Sequence, residues 1–345
     1  MKKSIVPVLP IVLLTLGACA SGPDKDVLLL HAAFGTTKAV VFEGRVMDGA
    51  DATDFDPADD AATNLRRNVA LFTADECDAC PVRLAFANTL PIDTETDGEG
   101  FFRVEMSEVD LEPAGSEVLG TGGGAGPLKS GWRSFRARSG GGARVGEALI
   151  VPAGNRLGIV SDVDDTILVT EVGDRFRMLG NTFLKNPAQR DAVPGTADLY
   201  ARTLAVNPDP ASAPLFYLSS SPRQLQTYLT GFLERNGYPR GVLFTRRLSL
   251  DREGYERLDS HAYKTARIEE LLERLPDVTF VLVGDDGEHD PAVYQEIRQR
   301  HPTRIAAVWI RRANPDAPAT LPTGQVALAE VLAGRVALPE LPLDQ

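Results

Sequence analysis

The fold class predicted for this chain is α/β, with a parallel sheet in the second half and β structure ahead of it. Three observations predict it. From Gly154 onward, short apolar runs alternate with stretches of helical periodicity, the pattern of parallel strands joined by crossover helices. Two of those runs stop abruptly at carboxylates: Leu157–Val160 leads into Asp162-Val163-Asp164-Asp165-Thr166, and Thr279–Val283 leads into Gly284-Asp285-Asp286. Between Lys38 and Ile150 the apolar residues alternate with polar ones and turn residues recur, as in antiparallel β structure. A length of 345 residues suits two such domains.

The chain opens on Lys2 and Lys3, followed by an apolar stretch, Ile5 to Leu16, too short to span a bilayer with these flanks. It closes on Leu16-Gly17-Ala18-Cys19, which resembles the lipobox of bacterial lipoproteins. That resemblance implies a leader over residues 1–18, lipidation of Cys19 and an anchor in the cell envelope. Ala20 after the cysteine points to the outer membrane, facing the periplasm. Residues 19–37 read as a tether.

Residues 38–150 are expected to form a β-sandwich. Val40–Val46 and Val69–Thr73 are strand-like, and a turn at Thr96 to Gly100 feeds an alternating strand with Phe102 and Val104 on one face. Thr96-Asp97-Gly98-Glu99-Gly100-Phe101 also resembles the corresponding strand of transthyretin-like sandwiches. Cys77 and Cys80 are expected to form a short-loop disulfide, because an exported chain meets oxidising conditions. A structural zinc would need further ligands, and His31, His261, His289 and His301 show no matching spacing. The run Gly120 to Gly126 before Lys129-Ser130 is no phosphate loop: Leu128 stands where glycine should precede the lysine, and no apolar strand leads in.

Residues 151–320 carry the expected chemistry, with 321–345 as a C-terminal tail. Strands are predicted at Leu157–Ser161, Pro214–Ser219, Val242–Thr245, Thr279–Gly284 and Ile305–Ile310. Helical spacing relates Leu225, Tyr228, Leu229 and Phe232, and again Ile268, Leu271, Leu272 and Leu275. Alternation would point Asp162 and Asp164 to the same side at the carboxyl edge of the sheet, where open α/β sheets bind ligands. Carboxylates crowded there repel one another unless a cation or proton intervenes. Ser221 with Pro222 and Gln224 reads as a helix cap, which leaves Ser219 at the strand tip beside a helix amino terminus. Lys264 lies one turn before Ile268 on the sheet-facing side of its helix, so it should reach over the crevice. Asp290 follows Asp285 by five residues, and hard oxygen donors of this kind suit Mg²⁺.

Asp162-x-Asp164-x-Thr166, Ser219, Lys264 and Gly284-Asp285 resemble, in order, the four motifs of the haloacid dehalogenase superfamily. Within it, Ser161-Asp-Val-Asp-Asp-Thr-Ile167, Leu218-Ser-Ser-Ser-Pro222, the Gly284 to Pro291 run and Trp309-Ile-Arg311 resemble the phosphatidate phosphatase catalytic domain of the yeast actin-patch-protein type. The resemblance covers about residues 150 to 315. It implies a Rossmann-like parallel sheet and an Mg²⁺-dependent phosphatase. Asp162 would be nucleophile and Asp164 general acid and base, while Ser219, Ser220 and Lys264 would bind the phosphate. Asp162, Asp285, Asp290 and the Asp164 carbonyl would hold the metal. Ser220 stands where Asn is expected and Asp286 where Ser is commoner.

Only Val169 to Gly195 separates the first motif from the next helix, room for a flap and a short helix at 175–184 but no cap domain. An open crevice suits a bulky phosphorylated lipid such as phosphatidate. The alternatives are a soluble phosphomonoester, or a non-catalytic lipoprotein that binds a partner. A net charge of −12 argues against nucleic acid and against general attraction to anionic lipid. Approach to such a bilayer would need local basic groups such as Arg246, Arg247, Arg311 and Arg312.

Overall fold

The computed structural model describes residues 26–48, 63, 75–111, 128–169, 190–247 and 260–342. The first half builds one eight-stranded sheet: β1 (Asp26–Gly35), β2 (Val40–Asp48), β3 (Asp75–Glu76), β4 (Pro81–Phe86), β5 (Ile92–Glu95), β6 (Phe101–Met106), β7 (Gly131–Ser139) and β8 (Gly142–Ile150). Its order is β3-β2-β1-β8-β7-β4-β5, with β6 also on β2. All pairings are antiparallel except β1 with β8. The expected sandwich is met in part: the strands enclose one core, but they belong to one continuous sheet. Phe42 meets Phe86 and Phe135 edge-on at centroid separations of 5.0 and 4.9 Å. Phe102, Val104 and Met106 of β6 join that core, as alternation predicts.

The segment expected as a tether supplies β1. Its run Val27-Leu-Leu-Leu-His-Ala-Ala-Phe34 carries enough apolar surface to pair with β2 on one side and β8 on the other. Cys77 and Cys80 are joined by a disulfide, and Thr96 braces their turn by donating to the Cys77 carbonyl at 2.5 Å and accepting from the Cys80 amide at 2.8 Å. Cys19, the strand expected at Val69–Thr73, the glycine run and the helix expected at 175–184 lie outside the described residues.

The second half forms an all-parallel sheet of β9 (Leu157–Asp162), β10 (Leu215–Pro222), β11 (Val242–Arg246), β12 (Thr279–Asp285), β13 (Ile305–Arg311) and β14 (Val326–Ala327). The order is β11-β10-β9-β12-β13-β14, so connections reverse direction between β9 and β12. Each expected strand forms, extended by one residue or a few at its carboxyl end. The helices are α1 (Thr196–Leu204), α2 (Gln226–Arg235), α3 (Ser260–Arg274), α4 (Asp290–Arg300) and α5 (Leu328–Leu332).

Alternation along the strands sorts them into two cores. Val160, Phe216, Leu218, Phe280 and Leu282 pack under α3 and α4. Leu157, Ile159, Leu215, Tyr217, Val281 and Val283 pack under α1, α2 and α5. Because both faces are covered, β9 is buried at every residue, which is why it opens on the unbroken apolar run Leu157 to Val160. The expected tail contributes β14 and α5, whose Leu328 and Val331 close the second core. Among the described residues no helix is long and apolar enough to cross a membrane.

The two halves share a core. Phe34 of β1 sits edge-on to Phe216 and Phe244 at 5.3 and 5.5 Å, on the α3–α4 side of the parallel sheet.

Candidate active site

The site lies where β9 and β12 end side by side and α3 and α4 begin. Asp162 is the last residue of β9, Asp285 the last of β12 and Asp290 the first of α4. Carboxylate oxygens of the three lie within 4.8 Å of one another, and all three residues are buried. Gly284 makes room for this. A Cβ there would stand 2.3 Å from Asp290 Oδ2 and 2.7 Å from the Tyr294 ring, so a side chain would push Asp290 off the strand end. Asp290 Oδ2 then accepts the Asp285 amide at 3.3 Å, and Asp285 Oδ2 accepts the Gly287 amide at 2.6 Å.

Lys264, in the second turn of α3, points into this cluster as its helical register predicts. Its Nζ lies 2.9 Å from Asp162 Oδ1, 2.5 Å from Asp290 Oδ1 and 3.4 Å from Glu288 Oε2, and the side chain is fully buried. One ammonium thus faces three carboxylates, with Asp285 as a fourth at hand. Burial raises the Asp162 carboxyl well above the usual range; Lys264 opposes this, while Asp290 and Asp285 add to it. Burial and Asp290 push Asp285 up to about 7. Burial also raises Asp290 against the pull of Lys264. On Lys264 itself burial favours the neutral amine, but Asp162 and Asp290 outweigh it and hold the ammonium. Asp162 Oδ2 and Asp285 Oδ1 are buried without a hydrogen-bond partner. Surplus carboxylates, two orphaned oxygens and hard donors within reach of one point fit a divalent cation.

Asp164 lies just beyond the strand, at the same edge of the sheet as Ser219. Strand β9 ends at Asp162, and the chain turns through Asp165 at φ 55°. Arg311 donates to the Asp165 carbonyl and steadies that turn. The Asp164 side chain stands outside the acidic triad and accepts from Ser219 Oγ at 2.6 Å and Ser221 Oγ at 3.1 Å. Burial raises its carboxyl, and the two hydroxyls oppose that. A carboxyl raised by burial and bonded to two hydroxyls is placed to pass a proton.

Ser221 was expected to cap a helix and does not. Strand β10 runs on to Pro222, a short 3₁₀ turn (Arg223–Leu225) follows, and α2 starts without a side-chain cap. The capping-box spacing is there, but the strand geometry frees Ser221 to turn toward Asp164. Ser220 Oγ pairs with Ser260 Oγ at 2.6 Å, and Ser260 donates to Glu288 at 3.0 Å, so this chain of hydroxyls ends on Lys264. Neither Ser260 nor Glu288 stood out in the sequence; only the start of α3 beside α4 brings them in.

Asp286 is set apart from the triad. Its Oδ1 accepts the Ala313 and Asn314 amides at 2.7 and 2.8 Å, and Arg312 pairs with it at 2.6 Å, stapling the β12 and β13 loops together. The four arginines that approach to an anionic bilayer would need each have a partner within the chain. Arg247 pairs with Asp97 and Glu99, Arg246 lies over Tyr263, Arg311 holds Asp165 and Arg312 holds Asp286.

Residues 157–312 match the family model described as the phosphatidate phosphatase APP1 catalytic domain. Phosphatidate phosphatase APP1 of Saccharomyces cerevisiae is 35% identical over 156 residues, 45% of this chain and 26% of that protein. An uncharacterized protein of Schizosaccharomyces pombe is 28% identical over 158 residues, 46% of this chain and 25% of its own. The chain thus spans about a quarter of the length of these relatives. Among solved structures, a carbohydrate esterase aligns at 11% identity and TM-score 0.25, covering 92% of each chain. Ferredoxin-NADP+ reductase of Plasmodium falciparum aligns at 7% and TM-score 0.22, covering 82% of this chain and 94% of that one. Scores this low argue nothing about fold. The matched segment begins at β9, ends after β13 and contains Asp162, Asp164, Ser219, Ser221, Lys264, Asp285, Glu288 and Asp290.

Proposed function

We propose that this chain is an Mg²⁺-dependent phosphatase of the haloacid dehalogenase type, acting through an aspartyl-phosphate on a lipid phosphate such as phosphatidate. The observation that carries the reading is the surplus of buried carboxylates around Lys264, with Asp162 Oδ2 and Asp285 Oδ1 left unpartnered, inside the segment that matches the phosphatidate phosphatase model. The parallel sheet, whose connections reverse direction between β9 and β12, supports a Rossmann-like reading, in which ligands bind at that crevice.

Asp162, Asp285 and Asp290, with the Asp164 carbonyl, would hold Mg²⁺, which supplies positive charge to the phosphoryl oxygens and keeps the carboxylates ionised. The Asp162 carboxylate attacks phosphorus, and the bond from phosphorus to the leaving oxygen breaks. Asp164 gives its proton to that oxygen as the alcohol departs. Asp164, now ionised, takes a proton from water, the water oxygen bonds to phosphorus, and the bond to Asp162 breaks, releasing inorganic phosphate. Ser219 and Ser221 orient Asp164 between these steps. Lys264 holds Asp162 in line and offsets charge on the transferring group.

A soluble phosphomonoester is the second reading. What favours it is that Arg246, Arg247, Arg311 and Arg312 each already have a partner in the chain, three of them a carboxylate or carbonyl that offsets their charge. We further propose residues 1–18 as a leader and Cys19 as the lipidated residue of an outer-membrane protein facing the periplasm. The test of function is phosphate release from phosphatidate vesicles and from a panel of soluble esters, each with Mg²⁺ or with EDTA. Mg²⁺-dependent release favouring phosphatidate supports the leading reading. Release favouring the soluble esters supports the second. No release from any substrate in Mg²⁺ removes both and returns the non-catalytic binding lipoprotein.

A further inference from the structure

We propose that Glu43, on β2 of the N-terminal sheet, is a positioning residue for the phosphatase site, clamping together the β10 loop and helix α3. This rests on the function proposed above. Glu43 is buried, at 4% exposure, and meets two arginines from the other domain. Arg223 Nη2 donates to its Oε2 at 2.6 Å, and Arg267 Nη1 donates to its Oε1 at 3.0 Å. Those two arginines sit beside the residues that matter. Arg223 follows Ser219, Ser220 and Ser221 on the strand end that faces Asp164. Arg267 is three residues, just under one helical turn, beyond Lys264 on α3.

The clamp is braced from the same side. Arg103 of β6 also pairs with Glu43, at 2.5 Å, and reaches Glu270 of α3. Phe101 lies under the Arg223 guanidinium at 5.2 Å. A carboxylate with bonds to two different elements fixes their separation, because sliding either one breaks a charge-assisted bond to a buried carboxylate. The separation it fixes is the one between Ser219 with Asp164 and Lys264 with Asp162. Displacements of about 1 Å in such constellations cost about a hundredfold in rate.

The test compares Glu43→Gln, Glu43→Asp and Arg267→Gln with the parent full-length protein. Two readouts are used: steady-state kinetics on p-nitrophenyl phosphate with Mg²⁺, and amide hydrogen exchange over residues 219–225 and 260–268. Glu43→Gln is expected to lower kcat by about tenfold to a hundredfold with KM within about twofold, and to speed exchange in both segments while β4 and β7 keep the parent's protection. Glu43→Asp should recover part of both effects. Arg267→Gln, which leaves Arg223 on Glu43, should speed exchange in 260–268 but not in 219–225, and it decides the matter if Glu43→Gln fails to fold. Unchanged exchange in both segments, or a loss spread evenly over the sheet domain, overturns the clamp. If the parent releases no phosphate while exchange responds as described, the clamp stands and the phosphatase reading falls.

Discussion

Two buried charge clusters lie on α3, with opposite balances. Around Lys264, one cation faces Asp162, Asp290 and Glu288, with Asp285 nearby. Around Glu43, one carboxylate faces Arg103, Arg223 and Arg267. In the first cluster burial wins and the acids are pushed toward their protonated forms. In the second, burial would raise the Glu43 carboxyl, but Arg267 and Arg223 bring it down to about 2. The difference separates a site from a staple. A cluster that leaves carboxylate oxygens orphaned has a place for a cation that the chain does not supply. One whose carboxylate is saturated by guanidiniums has already met its own needs.

The largest expected effect breaks the first cluster. Asp162→Asn should lower turnover by about 10⁴-fold or more, because an amide cannot attack phosphorus. Asp164→Asn should lose about 10²–10⁴-fold on esters with poor leaving groups and far less on nitrophenyl esters, where protonation matters little. Steady-state rates on a pair of alkyl and nitrophenyl phosphates check both.

Next comes acid. Because the Glu43 carboxyl is depressed from 4.5 to about 2 in the folded protein, its stabilisation is fully present above about pH 4.5 and is lost as pH falls toward 2. The sign follows from proton binding, since below 4.5 the unfolded chain takes up a proton that the folded chain refuses. Parent and Glu43→Gln should differ by on the order of 3 kcal/mol more at pH 6 than at pH 2, read by urea unfolding across that range.

The first cluster should respond instead to metal. Mg²⁺ at a hundred times its dissociation constant should stabilise the parent by about 2.7 kcal/mol, a rise of roughly 5–10 °C in unfolding midpoint relative to EDTA. Asp285→Asn should blunt that rise, whereas Glu43→Gln should retain it even if its own midpoint is lower. The smallest effect belongs to a third place. Cys77→Ser should cost about 1–2 kcal/mol, less than is typical of native disulfides because its loop is short, and should leave kcat within about twofold.

How much of this was legible in the sequence depends on how local its cause is. The strands of the parallel sheet were readable because burial on both faces leaves no polar alternation, as in Phe280 to Val283. Lys264 was readable because its register is shared with Ile268. Asp162 and Asp285 were readable as strand-end carboxylates, and Asp290 by its spacing of five residues from Asp285. Ser221 was misread because a capping pattern and a strand end use the same residues, and only the continuation of β10 to Pro222 decides between them. Strand β1 was masked by its neighbourhood, where Ser21-Gly22-Pro23 suggests a spacer. Glu43 was not legible at all: its partners lie 180 and 224 residues away, and no local pattern marks an alternating strand residue as the buried one.

The most direct measurement is acid-quenched labelling during turnover of a nitrophenyl ester carrying radioactive phosphate, with parent, Asp164→Asn and Asp162→Asn compared in Mg²⁺. The account predicts labelled protein in the first milliseconds of the parent reaction, more of it in Asp164→Asn, and label recovered on the peptide that contains Asp162. It predicts none in Asp162→Asn. Label on any other residue, or an Asp162→Asn variant that turns over at the parent's rate, would contradict it.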